Sequence, residues 1–457
     1  MELIDIVQGI NGILWSYVLI FLLCGTGIYF TFRLKFVQLR KFGDACRHAF
    51  GGITLFGEKA GKEGMSSFQS LATAIAAQVG TGNLAGAATA IASGGPGAIF
   101  WMWISAFFGM STIFAEAVLA QIYKERDVDG QVVGGPAYYI SKGFGSKGLA
   151  AFFSIAIIIA LGFIGNMVQS NSISDAFQTA FNMPSLYVGI GLALLAGLIF
   201  FGGISRIASF TEKVVPLMAL LYIIGGVIVL VMNIEMLIPA FKMIFVGAFN
   251  PRAATGGLIG ATVKEAMRYG VARGLFSNEA GMGSTPHAHA VAKVDHPAEQ
   301  GLMAIIGVFI DTFIVLNITA FVILVTGTLD GQTTGIALTQ NAFTNAFGGF
   351  GNTFVAICLF FFAFSTVIGW YFFGEANIRY LFGLKGLTPY RILVMIFIVL
   401  GSTLKVNLVW ELADTFNGLM VIPNLIAVLG LAKVVSKALN EYEYDKQGYL
   451  KPKESEA

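Results

Sequence analysis

Residues 71–92 read LATAIAAQVGTGNLAGAATAIA, an apolar stretch interrupted at its midpoint by the polar, glycine-rich turn from Gln78 to Asn83. In hydrocarbon, each backbone N–H or C=O group without a hydrogen-bond partner costs several kcal/mol. An unwound turn at this depth therefore persists only where protein or a water-filled cavity receives those groups. We expect the backbone groups freed by this turn to bind a ligand.

The composition around this stretch is that of an all-α polytopic membrane protein. Of 457 residues, 56% are hydrophobic and only 12% are charged, against about 25% charged residues in soluble proteins. The formal charge of +2 indicates no nucleic-acid partner, and the three cysteines imply no disulfide framework. No catalytic triad, metal cluster or phosphate loop indicates an enzyme.

With about 20 apolar residues needed per crossing, the sequence predicts eleven transmembrane helices. They are expected near residues 12–32, 66–92, 97–123, 150–178, 185–203, 214–233, 255–285, 300–326, 350–373, 389–404 and 409–433. Lysine and arginine concentrate in one set of the intervening loops, which predicts a cell-membrane protein with an extracellular N-terminus and a cytoplasmic C-terminus.

The pattern of these helices predicts an inverted repeat. The first helix is peripheral, and the remaining ten divide into two sets of five. Because each set has an odd number of helices, the two sets have opposite orientations in the membrane. Each set opens with a glycine-interrupted span, broken near 80–82 in one and near 280–283 in the other. Such a pair indicates a transporter with its site at the membrane midplane, although glycines also serve close helix packing. We assign residues 1–64 to an N-terminal helix and a basic cytoplasmic loop. The first repeat spans 65–235, the second spans 236–437, and 438–457 form a cytoplasmic tail.

Each break offers two kinds of backbone group. The helix half after a break presents N–H groups and a positive dipole end, which favour a carboxylate. The half before it presents carbonyl groups, which favour a cation or an ammonium group. One site built from both fits a zwitterion. The candidate substrate-binding residues are Gln78, Gly80, Thr81, Gly82, Asn83, Asn166, Gln169, Phe276, Ser277, Glu279, Ala280, Gly281, Met282, Ile368 and Trp370.

These residues have different expected roles. The N–H groups of residues 80–83 would hold the carboxylate, with the Gln78 amide beside them. The carbonyl groups of Phe276, Ser277 and Glu279 would receive the ammonium group. The bulky candidates for the pocket wall are Phe276, Met282 and Trp370, and they imply a small substrate. Asn166 and Gln169 are three residues apart and share a helix face, which either lines the pocket or bonds to a neighbouring helix.

A sodium site is predicted next to the first break. A monovalent cation needs about five oxygens of little net charge, and Ser365 and Thr366 are the only adjacent hydroxyl pair in the 350–373 span. We expect them to complete a sodium site with the carbonyl groups of Ala76 and Val79. The alternative is that both hydroxyls bond to carbonyl groups one turn earlier in their own helix.

Two stretches carry a family resemblance. Residues 94–109, GGPGAIFWMWISAFFG, and residues 270–283, GVARGLFSNEAGMG, resemble the characteristic motifs of the alanine/glycine:cation symporter family. The resemblance covers essentially the whole chain and implies sodium- or proton-coupled uptake of alanine or glycine through a LeuT-type five-plus-five repeat. By the same resemblance, Ala76, Val79, Ser365 and Thr366 fall on the sodium site of the wider superfamily.

Several intramembrane polar residues have two interpretations each. Glu116 either bonds the backbone of the second break or exchanges a proton, and Asp311 is either a packing anchor or a proton-titratable group. Arg268 or Arg273 would pair with Glu411 or Asp414 as an outer gate, or these charges are solvated. His287 and His289 are spaced like a metal pair, but we place them in a cytoplasmic loop.

The sequence therefore predicts a secondary active transporter that imports small neutral amino acids, alanine or glycine, together with sodium. Its partners are the amino acid and the lipid bilayer, and the pattern specifies no oligomeric state. Proton coupling through Asp311 or Glu116 is the alternative within this class. A channel or a non-transporting receptor is the alternative from a different class.

Overall fold

The computed structural model describes residues 3–51, 60–254, 260–404 and 406–446. Parts of three predicted features lie outside the described residues, namely 52–59 of the basic loop, 255–259 of the seventh span and 447–457 of the tail. The described chain is almost wholly helical. Its one β-hairpin pairs Glu125–Arg126 with Val132–Val133 in antiparallel register.

The α-helices are Leu3–Ile13, Leu19–Arg33, Val37–Arg40, Phe42–Phe50, Ser67–Gln78, Ala87–Gly94, Gly97–Ile122, Pro136–Tyr138, Lys147–Ile157, Asn166–Phe181, Ser185–Phe200, Gly203–Met232, Leu237–Phe249, Pro251–Ala254, Val263–Asn278, Pro286–Ala290, Pro297–Val308, Asn317–Val325, Gly335–Phe347, Phe350–Phe382, Leu387–Thr403, Val406–Gly430 and Ala432–Lys446. π-Helical stretches are Leu14–Val18, Gly82–Gly86, Tyr139–Gly143, Ile158–Gly165 and Phe309–Leu316, and 3-10 turns are Ile234–Met236 and Gly383–Gly386.

The described residues include six helical stretches that are long and apolar enough to cross a membrane: Gly97–Ile122, Lys147–Phe181, Gly203–Met232, Pro297–Val325, Phe350–Thr403 and Val409–Gly430. Two shorter apolar helices, Leu19–Arg33 and Ser185–Phe200, fall on further predicted spans. The helical, multi-pass character of the chain is thereby confirmed. The count of eleven crossings and the five-plus-five repeat stay predictions.

Both interrupted helices begin with a capping box. Ser66 accepts a hydrogen bond from the backbone of Gln69, whose side chain bonds back to Ser66, and Thr262 and Glu265 form the same pair. These capping boxes satisfy backbone donors that a helix start leaves free. Each interrupted helix therefore begins at a position that its own sequence specifies.

We call residues 67–94 the first broken helix and residues 263–290 the second broken helix. The first lies against Gly203–Met232 and Phe350–Phe382, and the second lies against Gly97–Ile122. Every residue from Gln69 to Gln78 is buried. Both breaks are thus enclosed by other helices, as unpaired backbone in a bilayer requires.

The structure differs from the sequence prediction in several places, including the helix Gly335–Phe347, which lies outside every predicted span. The second broken helix resumes at Pro286, so the two histidines lie in a buried helix and the predicted loop is wrong. The predicted 350–373 span continues as a helix to Phe382. The helix Leu237–Phe249 was not predicted; its outer face exposes several apolar side chains, while the Ala248 carbonyl accepts a hydrogen bond from Trp101.

Candidate functional site

At the first break, glycines are required because other elements approach the backbone closely. The chain leaves the helix at Val79, which is extended with φ −83° and ψ 90°. A Cβ atom added at Gly80 would lie 3.2 Å from Oε1 of Gln169 and would clash with the Thr366 hydroxyl. A Cβ atom at Gly82 would lie 3.0 Å from Cα of Ser277. The two broken helices are therefore in direct contact at Gly82.

A buried carboxylate accepts hydrogen bonds from the unwound backbone of the second break. Gly281 and Gly283 have φ angles of +89° and +80°, a conformation that favours glycine. Their N–H groups donate to the two oxygens of Glu116, each at 3.0 Å. The Asn424 side chain also donates to Glu116 and to the Gly281 carbonyl, the latter at 3.0 Å. The predicted role of Glu116 in bonding this backbone is confirmed.

Asp311 joins the two breaks. Its Oδ1 accepts hydrogen bonds from Nδ2 of Asn83 at 2.6 Å and from the Ser277 hydroxyl at 2.8 Å. Its Oδ2 accepts from the Thr312 hydroxyl at 2.9 Å. In addition, Nε2 of Gln78 donates to the Asn278 carbonyl at 2.7 Å. Asp311 thus links side chains beside both breaks, and Gln78 of the first broken helix bonds the backbone of the second.

Four oxygens of the predicted sodium site converge. The Thr366 hydroxyl oxygen lies 2.9 Å from the Ala76 carbonyl oxygen and 3.5 Å from that of Val79, and the Ser365 hydroxyl lies 3.4 Å from the Ala76 oxygen. Both hydroxyls also reach the Phe362 carbonyl, at 2.8 and 3.1 Å. The alternative bonding within their own helix is therefore present together with the contacts across to the first break.

Three of the four expected carboxylate donors, the N–H groups of Gly80, Thr81 and Asn83, already have partners in this structure. The Gly80 N–H donates to Oδ1 of Asn83 at 2.9 Å. The Thr81 N–H and hydroxyl both donate to Oε1 of Gln169, at 3.1 and 2.6 Å. Asn166, one turn before Gln169, keeps a buried Oδ1 that no described residue contacts with a hydrogen bond. Gln169 thus places its amide against the first break, and Asn166, three residues earlier in the same helix, keeps a free amide oxygen.

The end of the helix before the second break offers free acceptors. Within the described residues, no hydrogen bond reaches the carbonyl oxygens of Phe276 and Ser277. The Glu279 carbonyl, in contrast, accepts from the Met282 N–H at 3.1 Å. The Glu279 carboxylate accepts hydrogen bonds from the indole of Trp370 and the hydroxyl of Ser284.

Aromatic side chains surround these acceptors. The rings of Phe276 and Trp370 meet edge to face at 5.6 Å, and Phe276 also packs against Trp410 at 4.9 Å. A Cβ atom on Gly165 would lie 2.6 Å from the Trp370 ring. Phe276, Trp370 and Trp410 thus form an aromatic cluster at the end of the helix before the second break.

Two of the other predicted pocket residues have neighbours outside the first break. Ala280 packs against Gly109, and Gly281 has Leu23, Leu425 and Thr112 as its neighbours, none of them part of the first break. Met282 and Ile368 are fully buried, and Met282 belongs to the second break, where its N–H donates to the Glu279 carbonyl.

A buried ion pair stands beside the aromatic cluster. The two terminal guanidinium nitrogens of Arg273, Nη1 and Nη2, donate to the Asp414 carboxylate at 2.8 and 2.7 Å. The guanidinium carbon lies 4.8 Å from the centre of the Trp410 ring. Beyond this pair lies a cavity of about 450 Å³ that Asp175 and Glu411 also line. Of the predicted pairings, the one between Arg273 and Asp414 is present.

The helix that carries the two histidines contacts the first broken helix. His289 Nδ1 lies 2.9 Å from Oε1 of Gln300, whose Nε2 donates to the Ser67 hydroxyl at 2.9 Å. The Ser70 hydroxyl donates to the Ala288 carbonyl at 2.8 Å. The described residues contain no cluster of histidine, cysteine and acidic side chains that would hold a metal ion. These residues join the first half of one broken helix to the second half of the other.

Charged groups near the hairpin form a further contact region. Arg379 donates to Asp127 at 2.8 Å and to Glu375 at 3.1 Å. The Lys124 ammonium group donates to the Ala292 carbonyl at 3.0 Å, and burial lowers the pKa of Lys124. Sequence reasoning missed these contacts and also missed Asn424; an amide inside the 409–433 span was the available signal.

Comparison with known proteins places this geometry in a family. The sequence model of the sodium:alanine symporter family matches residues 1–456. The chain is 44% identical to the sodium/alanine symporter AgcS of Methanococcus maripaludis, over 96% of this chain and 98% of that protein. It is 45% identical to the probable sodium/glutamine symporter GlnT of Bacillus subtilis, over 99% and 93% of the two chains.

Solved structures agree on the fold. MhsT in complex with L-phenylalanine superposes with a TM-score of 0.58 at 13% identity, covering 84% of this chain and 99% of that one. The manganese transporter of Eremococcus coleocola, in complex with an aromatic bis-isothiourea compound, gives 0.51 at 15% identity, covering 81% and 78%. The fold is that of LeuT-type secondary transporters and not of enzymes. The chain belongs to the sodium:alanine symporter family.

Proposed function

We propose that this protein imports a small neutral amino acid, alanine or glycine, together with sodium. The observation that carries the proposal is the convergence of the Ser365 and Thr366 hydroxyls with the Ala76 carbonyl at the first break. The carbonyl groups of Val79 and Phe362 bring the number of oxygens to five. Uncharged oxygens of this kind suit a hard monovalent cation.

The substrate would lie between the breaks as a zwitterion. Its carboxylate takes the N–H groups of Gly80 and Thr81 in place of the side-chain oxygens that hold them now, at the positive end of the helix half after the break. Its ammonium group takes the free carbonyl oxygens of Phe276 and Ser277. The free Oδ1 of Asn166 is a further acceptor for it.

The size limit follows from the aromatic wall. Phe276 and Trp370 stand next to the proposed ammonium acceptors, so a short side chain fits better than a long one. A hydrophobic wall separates substrates that differ by one methylene group by only about 1–3 kcal/mol. We therefore expect alanine and glycine to compete strongly with each other and weakly with leucine.

Coupling follows from the position of the ion. Sodium would join the first broken helix to Phe350–Phe382 and thereby shape the substrate site. Occupancy of both sites then permits the two repeats, 65–235 and 236–437, to rock between outward-open and inward-open states. Each charge moved down 100 mV supplies about 2.3 kcal/mol. With the N-terminus outside and the C-terminus in the cytoplasm, the ion pair of Arg273 with Asp414 lies on the extracellular side.

Uptake of labelled alanine into proteoliposomes tests the proposal. We expect uptake under an imposed sodium gradient at equal pH, and none under an imposed pH gradient without sodium. The reverse result would favour proton coupling, for which Asp311 is the candidate because it is buried between the two breaks. Currents that do not saturate with substrate would instead favour a channel.

A further inference from the structure

An apolar groove opens on the outside of the helix bundle, away from both breaks. It runs between the antiparallel helices Ser185–Phe200 and Leu387–Thr403 and has a volume of about 540 Å³. Every residue that lines it is apolar, and Leu194, Phe201 and Ile396 are 61%, 56% and 47% exposed. A long, narrow and open apolar surface of this kind suits a hydrocarbon chain.

The length of the groove matches one leaflet of a bilayer. Its lining on the first helix extends from Ile190 to Phe201, which at 1.5 Å per residue is about 16 Å. Half of the hydrocarbon core of a typical bilayer is about 15 Å. The groove therefore has the length of one acyl chain that begins at the Phe201 end.

The Phe201 end of the groove carries positive charge. The guanidinium carbon of Arg391 lies 5.6 Å from the centre of the Phe201 ring. Arg391 is held in place because Nε donates to the Tyr371 hydroxyl at 3.0 Å and Nη2 lies 3.5 Å from Glu375. Among the described residues, none accepts a hydrogen bond from its Nη1.

A second arginine lies at the same end. The Arg206 side chain is exposed, folds back against Gly202 next to Phe201, and donates to the Leu198 carbonyl. Arg391 on Leu387–Thr403 and Arg206 at the start of Gly203–Met232, the helix that follows Phe201, thus bring two guanidinium groups to one end of the apolar groove. This end belongs to the lysine- and arginine-rich face that we place in the cytoplasm.

We propose that this groove binds an anionic phospholipid of the inner leaflet. One acyl chain lies between Ile190 and Phe201, and the headgroup phosphate contacts Arg391 and Arg206. Basic pockets between transmembrane helices on the cytoplasmic side recognise anionic headgroups in this way. A zwitterionic phospholipid offers the same acyl chains but no net negative charge, so it binds more weakly.

Native mass spectrometry of the purified chain in detergent tests this proposal. The probes are phosphatidylglycerol and phosphatidylethanolamine with identical acyl chains at equal concentration. We expect one phosphatidylglycerol molecule to be retained per chain. Arg206→Gln should reduce the preference for phosphatidylglycerol about fivefold, as expected for one cation near the membrane surface. Lys147→Gln, which removes an exposed cation of the same face at another helix, should leave the preference unchanged.

A second pair of variants tests the acyl-chain contact. Ile396→Trp fills the groove and should reduce retention of both lipids, whereas Ile224→Trp changes a residue on Gly203–Met232 that is 50% exposed and should have no effect. Equal retention of the two lipids by the unaltered chain would overturn the proposal. A dimer that fills the groove and excludes lipid, or retention that Ile396→Trp and Arg206→Gln leave unchanged, would also overturn it.

Discussion

Replacing Thr366 with valine removes one oxygen from the proposed sodium site and leaves the branched shape of the side chain. The lost hydroxyl oxygen lies 2.9 Å from the Ala76 carbonyl oxygen and 3.5 Å from that of Val79. A single contact to a charged group contributes about 1.5–3 kcal/mol. At 1.4 kcal/mol per factor of ten, sodium affinity should fall about 10- to 150-fold.

The assay is alanine uptake by proteoliposomes as a function of the sodium concentration. The half-saturating concentration should rise for Thr366→Val and stay close to the wild-type value for Thr366→Ser, which keeps the hydroxyl. Thr89→Val is the matched control, because its hydroxyl donates only to the Ala85 carbonyl of its own helix, at 2.8 Å. A well-folded Thr366→Val protein, judged by its melting temperature, with an unchanged sodium response would refute the reasoning.

Three further predictions concern contacts between elements. Gly82→Ala places a Cβ atom 3.0 Å from Ser277 and should reduce uptake at least tenfold; wild-type rates would show that the breaks need not touch. Glu116→Gln leaves one acceptor oxygen for two backbone N–H groups and should lower stability by about 1–3 kcal/mol, seen as a lower melting temperature; an unchanged value contradicts the anchor role. Arg273→Ala leaves the buried Asp414 carboxylate unpaired and should cost about 3–5 kcal/mol, whereas Arg273→Ala with Asp414→Ala should recover much of that loss; equal melting temperatures for the two would contradict this pairing.

The first break could be predicted because its evidence is local. Gly80 and Gly82 interrupt an apolar stretch, and a bilayer does not tolerate that interruption without partners. Ser365 and Thr366 were equally visible as an adjacent hydroxyl pair in an apolar helix. Local pattern therefore identified each side of the proposed sodium site, and the family resemblance supported pairing them.

The partners of buried polar groups could not be predicted in the same way. Glu116 and Asp311 were recognised as intramembrane carboxyl groups, but their bonds to Asn424 and Asn83 depend on how distant helices pack. The sequence of one helix does not determine which residues of a distant helix will lie opposite it. The predicted loop at His287 was wrong for a related reason. The helix Pro286–Ala290 that replaces it is held by contacts with distant residues, including the hydrogen bond between His287 and Asn377 at 2.8 Å.

Part of the proposed substrate site also depends on contacts that no local pattern contains. The N–H groups of Gly80 and Thr81 were expected to be free, but the side chains of Asn83 and Gln169 bind them. Ala280 was expected in the pocket, but it packs against Gly109. In both cases the glycine-rich break was visible in the sequence, but the packing partners of its residues were not.

Equilibrium binding of labelled alanine to the purified protein, with sodium varied against choline at constant pH, tests the central claim most directly. If one ion at Thr366 shapes the substrate site, sodium must increase alanine affinity, and alanine must increase sodium affinity by the same factor. We predict this mutual increase for the wild-type protein and its loss in Thr366→Val. Alanine affinity that is the same in sodium and in choline would contradict the account.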